Sequence, residues 1–83
     1  GAVLDRVIVD KNAVVGAGAR LGYGDDLTVP NKQEPEKLNT GVSVVGKSAH
    51  LPPNIKVGRN VVINADRDEE HFPTDEVASG ETI

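Results

Sequence analysis

Aliphatic residues recur every six positions in two stretches of this chain, residues 3–22 and 45–63. They are Val3, Val9, Val15 and Leu21 in the first stretch and Val45, Leu51, Val57 and Ile63 in the second. A further apolar residue follows four positions after most of them, and Gly, Pro and Asn occupy many of the positions between. A sustained six-residue period is typical of coiled parallel strands and predicts a parallel β-helix.

The period has a simple geometric explanation, in which each hexad supplies one short strand and one corner of a triangular prism. Because side chains alternate across a strand, Ala49 and Leu51 should point inward and His50 outward. Corners need tight turns with positive φ, which Gly and Asn accept most readily. Helices of this kind are usually left-handed, an exception to the right-handed rule for parallel crossovers. The predicted core stack contains Val9, Val15, Leu21, Val45, Leu51, Val57 and Ile63.

The pattern divides a single all-β module of about two coils into four segments. These are a first repeat block at 3–22, an inserted corner loop at 23–41, a second repeat block at 42–64, and an acidic connection with a capping strand at 65–83. The inserted loop is polar and punctuated by Gly and Pro. Loops of this length usually have a function or are partly disordered, although a plain solvated insertion is the simpler interpretation.

Length and composition limit the classes of function. Eighty-three residues suggest one domain or a piece of a longer chain, and a Gly1 start without any Met favours an excised C-terminal module. The absence of Cys excludes disulfides and thiolate metal sites and fits a cytoplasmic protein. A net charge of −4 and two aromatic residues give no basis for nucleic-acid binding. No apolar run is long enough to predict a membrane span.

The residue types that could support catalysis or metal binding do not form a recognisable site. His50 has no nearby acid in the sequence to orient it as a base, and His71 stands in an irregular acidic segment. Two clusters of acidic residues lack the spacing of a calcium loop; they are Asp25 with Asp26, and Asp66 with Asp68, Glu69 and Glu70. We therefore predict no catalytic, cofactor-binding or metal-binding residue in this chain.

Four basic residues form the one candidate binding surface. Arg20, Lys47, Lys56 and Arg59 are expected to point outward from the coils, where stacking could group them. Grouped cations can bind a phosphorylated effector through charge-assisted hydrogen bonds. The alternative is ordinary surface charge, which contributes little.

Several stretches carry a family resemblance. Residues 2–12 read Ala-Val-Leu-Asp-Arg-Val-Ile-Val-Asp-Lys-Asn, and Val-Gly-Ala-Gly follows at 15–18. Residues 38–47 read Leu-Asn-Thr-Gly-Val-Ser-Val-Val-Gly-Lys, and the chain closes with Ser-Gly-Glu-Thr-Ile at 79–83. These stretches, and nearly the whole chain with them, resemble the C-terminal β-helix domain of bacterial glucose-1-phosphate adenylyltransferases, or ADP-glucose pyrophosphorylases.

The resemblance implies a parent enzyme that converts ATP and α-D-glucose 1-phosphate into ADP-glucose and pyrophosphate for glycogen biosynthesis. In that family the chemistry, with ATP and Mg²⁺, belongs to an N-terminal nucleotidyltransferase domain that this chain does not contain. The implied partners are that catalytic domain, the sister subunits of a homotetramer and a small phosphorylated effector.

Other functions are compatible with the same hexads. One is a hexapeptide-repeat acyltransferase that uses His50 with acetyl-CoA. A second is the equivalent domain of another sugar-nucleotide pyrophosphorylase, and a third is a stand-alone oligomerisation module.

Overall fold

The computed structural model describes residues 1–25, 27–72 and 74–83. The described residues form nine short strands and one 3-10 helix, η1, at Glu69–His71. The strands are β1 Val3–Leu4, β2 Val7–Val9, β3 Val14–Val15, β4 Arg20–Leu21, β5 Ser43–Val45, β6 His50–Leu51, β7 Lys56–Val57, β8 Val62–Ile63 and β9 Glu76–Val77. The predicted all-β class with parallel strands is confirmed.

The strands lie in three parallel sheets with the orders β1-β4-β7-β9, β2-β5-β8 and β3-β6. Val44 on β5 pairs with Val62 on β8, eighteen residues further along the chain. Arg20 on β4 pairs with Lys56 on β7 across a longer separation along the chain, because the insertion lies between these two strands. Each sheet thus collects one strand from each successive turn of the chain, an arrangement consistent with a parallel β-helix.

The core consists of the apolar side chains that the six-residue period places on the inner side of the strands. Leu21, Val45, Leu51, Val57 and Ile63 are all at most 2% exposed, as predicted. Together with Ala19, Ala49, Ile55 and Val61 they make one continuous buried cluster. Burying a side chain of this size contributes about 1.5–3 kcal/mol, so this cluster stabilises the stack.

The first turn of the stack departs from the prediction. Val9 was expected in the core but is 39% exposed, and Val15 is only partly buried. The prediction is wrong for Val9 because β2 and β3 are the first strands of their sheets, so no further strand covers their inner side chains. This open end exposes the inward-facing Leu4 and Val9, which are in register with the buried Leu21 and Val45. Val3, Ile8 and Val14 are also exposed, but on the outer faces of their strands.

The corners between strands account for the Gly, Asn and other polar residues that separate the apolar positions of the repeat. One series of positive-φ residues recurs every six positions: Arg6, Asn12 and Gly18 in the first block, Ser48, Asn54 and Asn60 in the second, and Asp66 just after it. Asn and Gly were expected here, whereas Arg, Ser and Asp adopt this conformation at a cost of order 1–3 kcal/mol. Neighbouring turns approach closely, since a Cβ added to Gly46 would lie 2.5 Å from the backbone nitrogen of Ala65.

The C-terminal segment lies on the opposite end of the stack. Strand β9 pairs with β7, and Thr82 forms a parallel bridge with Val62. Phe72, 8% exposed, and Val77, 5% exposed, belong to the buried cluster. The two ends of the stack are therefore different, one covered by Phe72 and residues 76–83 and the other apolar and open.

Candidate functional site

The outer face of the β1-β4-β7-β9 sheet carries two adjacent cations. Arg20 and Lys56 are paired in register on β4 and β7, and both are exposed. They occupy outward positions because the next residue on each strand, Leu21 or Val57, points into the core. The Lys56 ammonium also lies 5.3 Å from the centroid of the Tyr23 ring, within cation–π range.

Arg59 adjoins these cations but is buried, with a side chain only 8% exposed. Its Nη2 donates to Asp5 Oδ2 at 2.8 Å and its Nη1 to the Asp5 carbonyl at 3.3 Å. Its Nε donates to the Gly24 carbonyl at 2.9 Å. The outward orientation expected for Arg59 is therefore wrong. The planar guanidinium fork matches a carboxylate and carbonyls that the fold brings to it, and these groups replace its water.

These residues border a shallow cleft of about 390 Å³. Arg20, Tyr23 and Arg59 line it together with the carboxylates of Asp5 and Asp25. Within residues 1–25, 27–72 and 74–83, Arg59 neutralises Asp5 while neither Arg20 nor Lys56 pairs with a carboxylate. Arg20 at the rim and Lys56 beside it on the same face could donate charge-assisted hydrogen bonds to a small anion, and Arg59 would serve as a fixed wall.

Lys47, the fourth predicted basic residue, lies elsewhere. It is exposed in the turn between β5 and β6, and its carbonyl accepts a hydrogen bond from the Asp66 amide at 2.9 Å. The structure therefore brings Arg20, Lys56 and Arg59 to one face and places Lys47 at a different corner. A role for any of them in anion binding stays a prediction.

The two histidines have separate surroundings. His50 is exposed on β6, where its strand neighbours are Val14 in β3 and Arg67, whose carbonyl accepts the His50 amide at 2.7 Å. This bond brings Asp68, the residue after Arg67, alongside His50, but the Asp68 carboxylate is bonded to the Glu70 amide and His71. Among the described residues, no hydrogen bond or ion pair joins the His50 ring to a carboxylate. His71 instead completes a capping box at η1, with its Nδ1 3.1 Å from the Asp68 amide nitrogen and 3.0 Å from Asp68 Oδ1.

Acidic side chains do not converge on a metal site in the part of the chain that the structure describes. No group of three or more His, Asp or Glu side chains there could hold an ion. Asp26, considered above with Asp25, lies outside the described residues. No helix in the same described ranges is long and apolar enough to cross a bilayer.

Two buried asparagines, Asn31 and Asn60, are polar core residues that the sequence reasoning missed. Both are 0% exposed. Asn60 had a usable signal, because it follows Asn54 by six residues and so falls on the positive-φ corner position. Asn31 had none, since it lies in a polar stretch with no period.

Comparisons with known proteins place the chain among named relatives. It is 51% identical, over all 83 residues, to a glucose-1-phosphate adenylyltransferase of Thermomicrobium roseum and spans 19% of that protein. It is 31% identical over 78 residues, 94% of the chain, to a glucose-1-phosphate adenylyltransferase of Acetivibrio thermocellus and spans 18% of it. No protein-family model matches the chain, and no solved structure gives a significant match.

The chain thus spans about a fifth of the length of the curated relatives it matches. The matched region is the C-terminal part of those relatives. The resemblance stated from the sequence is confirmed: over its whole length, this chain is a homologue of the C-terminal part of glucose-1-phosphate adenylyltransferases.

Proposed function

We propose that the chain is the assembly and regulatory module of a glucose-1-phosphate adenylyltransferase. The parent enzyme would join ATP and α-D-glucose 1-phosphate into ADP-glucose and pyrophosphate for glycogen biosynthesis, in the cytoplasm. The observation that carries this proposal is the 51% identity over all 83 residues to a protein of that name. Pyrophosphate release by the full-length protein tests it.

We further propose that the stack is a left-handed parallel β-helix. Two observations support this fold. Every strand pair is parallel and joins successive turns of the chain, and positive-φ corners recur every six residues. Left-handed corner residues at this spacing turn the chain by a constant amount after each short strand, which three-sided coils require.

The chemistry would belong to the preceding part of the parent, which would also hold ATP and Mg²⁺. Within the described residues, no ion pair orients the His50 ring and His71 serves as a capping residue of η1, and both observations support a module without a catalytic centre. Its contribution would be contacts with the catalytic part, with sister subunits of a homotetramer and with an effector.

The open end is the surface we assign to the preceding part of the parent. Because the matched region is the C-terminal part of the relatives, the preceding part of the parent would lead toward β1, the first strand of its sheet. Leu4, 47% exposed, and Val9, 39% exposed, are the inward side chains left uncovered at this end. Apolar side chains left uncovered beside a covalent attachment point favour burial against the attached part.

The face with Arg20 and Lys56 is the proposed effector surface. Within the described residues neither Arg20 nor Lys56 forms an ion pair, and these two adjacent cations beside a cleft fit the phosphate group of a small effector. Three carboxylates lie nearby: Asp5 is already paired with Arg59, Asp25 lines the cleft, and Glu76 is in register with Lys56 on β9.

Removing both cations should weaken phosphate binding by the full-length protein. We expect Arg20→Ala with Lys56→Ala to raise the dissociation constant for inorganic phosphate, measured by calorimetry, by about tenfold to a hundredfold. That range corresponds to losing about 1.4–2.8 kcal/mol of charge-assisted hydrogen bonding. Lys47→Ala removes one cation at another corner and should leave the constant unchanged. Equal binding by the double variant, or an equal loss in Lys47→Ala, would reject the surface.

A further inference from the structure

Asn60 joins the two ends of the insertion with one side chain. It is fully buried and adopts a left-handed φ of 57°. Its Oδ1 accepts from the Gly41 amide at 2.8 Å, and its Nδ2 donates to the carbonyls of Val29 at 2.6 Å and Leu27 at 3.3 Å. Both donors and the acceptor of the amide are thereby used. A single buried group thus fixes where residues 27–41 leave and rejoin the stack.

Asn31 connects the same segment to the C-terminal turn at 79–82. Its Nδ2 lies 3.2 Å from the Glu81 carbonyl, 3.2 Å from Thr82 Oγ1 and 2.9 Å from the Asn60 carbonyl. Its Oδ1 accepts from the amides of Gln33 and Glu34 at 2.9 and 3.0 Å. Because Asn31 is 0% exposed, losing its partners would leave buried polar groups unpaired, which is strongly unfavourable.

Two further contacts join the insertion to that turn. The Lys32 amide donates to the Gly80 carbonyl at 2.9 Å, and the Lys32 ammonium pairs with Glu81 at 2.9 Å. This C-terminal turn also covers the edge of β8, since the Val62 amide donates to the Glu81 carbonyl at 3.1 Å.

We propose that residues 27–41 form a strap, which Asn60 closes at its ends and Asn31 fastens to the C-terminal turn. Strap and turn open and close as one unit, and their opening uncovers the edge of β8 while the rest of the stack stays folded. The insertion is then a conformational switch for the covered end of the module. Residues 27–41 line neither the cleft nor the open end, so the proposal does not rest on the functions proposed for those two surfaces.

Amide hydrogen exchange of the 83-residue chain tests the strap. We expect Asn60→Gly, which keeps the left-handed backbone but removes the side chain, to speed exchange at least tenfold at Lys32 and Val62. Neither amide is bonded to Asn60, so faster exchange there reports release of the whole unit. Exchange at Arg20 and His50, in the other strands, should stay unchanged. Asn54→Gly is the matched control, because Asn54 has the same conformation, with φ 63°, but is exposed.

Two other patterns of hydrogen exchange would contradict the strap. Faster exchange confined to Gly41 in the Asn60→Gly variant would show a local bond rather than a strap. An equal increase at Lys32, Val62, Arg20 and His50 would show that the whole chain opens as one cooperative unit, and would also overturn the proposal.

Glu81→Gln provides a second variant, which keeps the buried network because the Lys32–Glu81 pair is exposed. It should speed exchange at Lys32 and Val62 by about two- to fivefold, and no change at either amide would contradict the strap.

Discussion

Replacing Leu51 with aspartate is expected to unfold the chain. Leu51 is 2% exposed in the centre of the buried cluster, and β6 lies beside β3. The substitution loses about 1.5–3 kcal/mol of apolar burial and adds the larger cost of an unpaired buried carboxylate. A domain of 83 residues has roughly 4–12 kcal/mol of stability in total. Circular dichroism should therefore show loss of β structure and of the cooperative thermal transition.

His50→Asp is the matched control for this prediction. It places the same carboxylate one residue away on the same strand, but on the exposed outer face. We expect it to melt within a few degrees of the parent chain. A Leu51→Asp variant that melts like His50→Asp would mean that the inward and outward positions of the strand are assigned incorrectly.

Charging the open end is expected to separate the module from the rest of the full-length protein. Leu4→Asp with Val9→Asp places two carboxylates in a surface that the proposal buries against the preceding part. Each buried carboxylate without a partner costs several kcal/mol, which is enough to undo the packing. In calorimetry, the full-length variant should melt in two transitions where the parent enzyme melts in one. The 83-residue chain should melt much as before, because the two side chains are already 47% and 39% exposed.

The control for the open end adds carboxylates on other parts of the surface. Gln33→Asp with Lys47→Asp changes two exposed residues, one in the insertion and one in the β5–β6 turn. It should leave the single transition of the full-length protein intact. If the open-end variant also kept one transition, the apolar end would have some other occupant or none.

The apolar core of the second repeat block could be predicted from the sequence. There β5 and β7 have strands on both sides, and Ile55, Val57 and Val61 are buried as the period requires. The same period failed for Val9, because periodicity reports which side of a strand a residue occupies. It does not report whether another turn of chain covers that side.

The candidate site was only partly predictable for a related reason. The outward orientation of Arg20 and Lys56 follows from the alternation of side chains along a strand. Their adjacency, however, depends on how many residues the insertion contributes between β4 and β7. The partners of Arg59, Asp5 and Gly24, lie 54 and 35 residues away along the chain. The buried role of Asn31 similarly depends on residues about 50 positions away. Such contacts arise from the stacking of turns, which local patterns do not encode.

Pyrophosphate release by the full-length protein tests the central claim most directly. The protein would be offered glucose 1-phosphate and Mg²⁺ with ATP, UTP or GTP in turn, and the 83-residue chain would serve as the control. We predict release with ATP only, and none from the chain alone. Release with UTP or GTP instead would assign the module to another sugar-nucleotide pyrophosphorylase. Silence with all three nucleotides would contradict the proposed parent activity altogether.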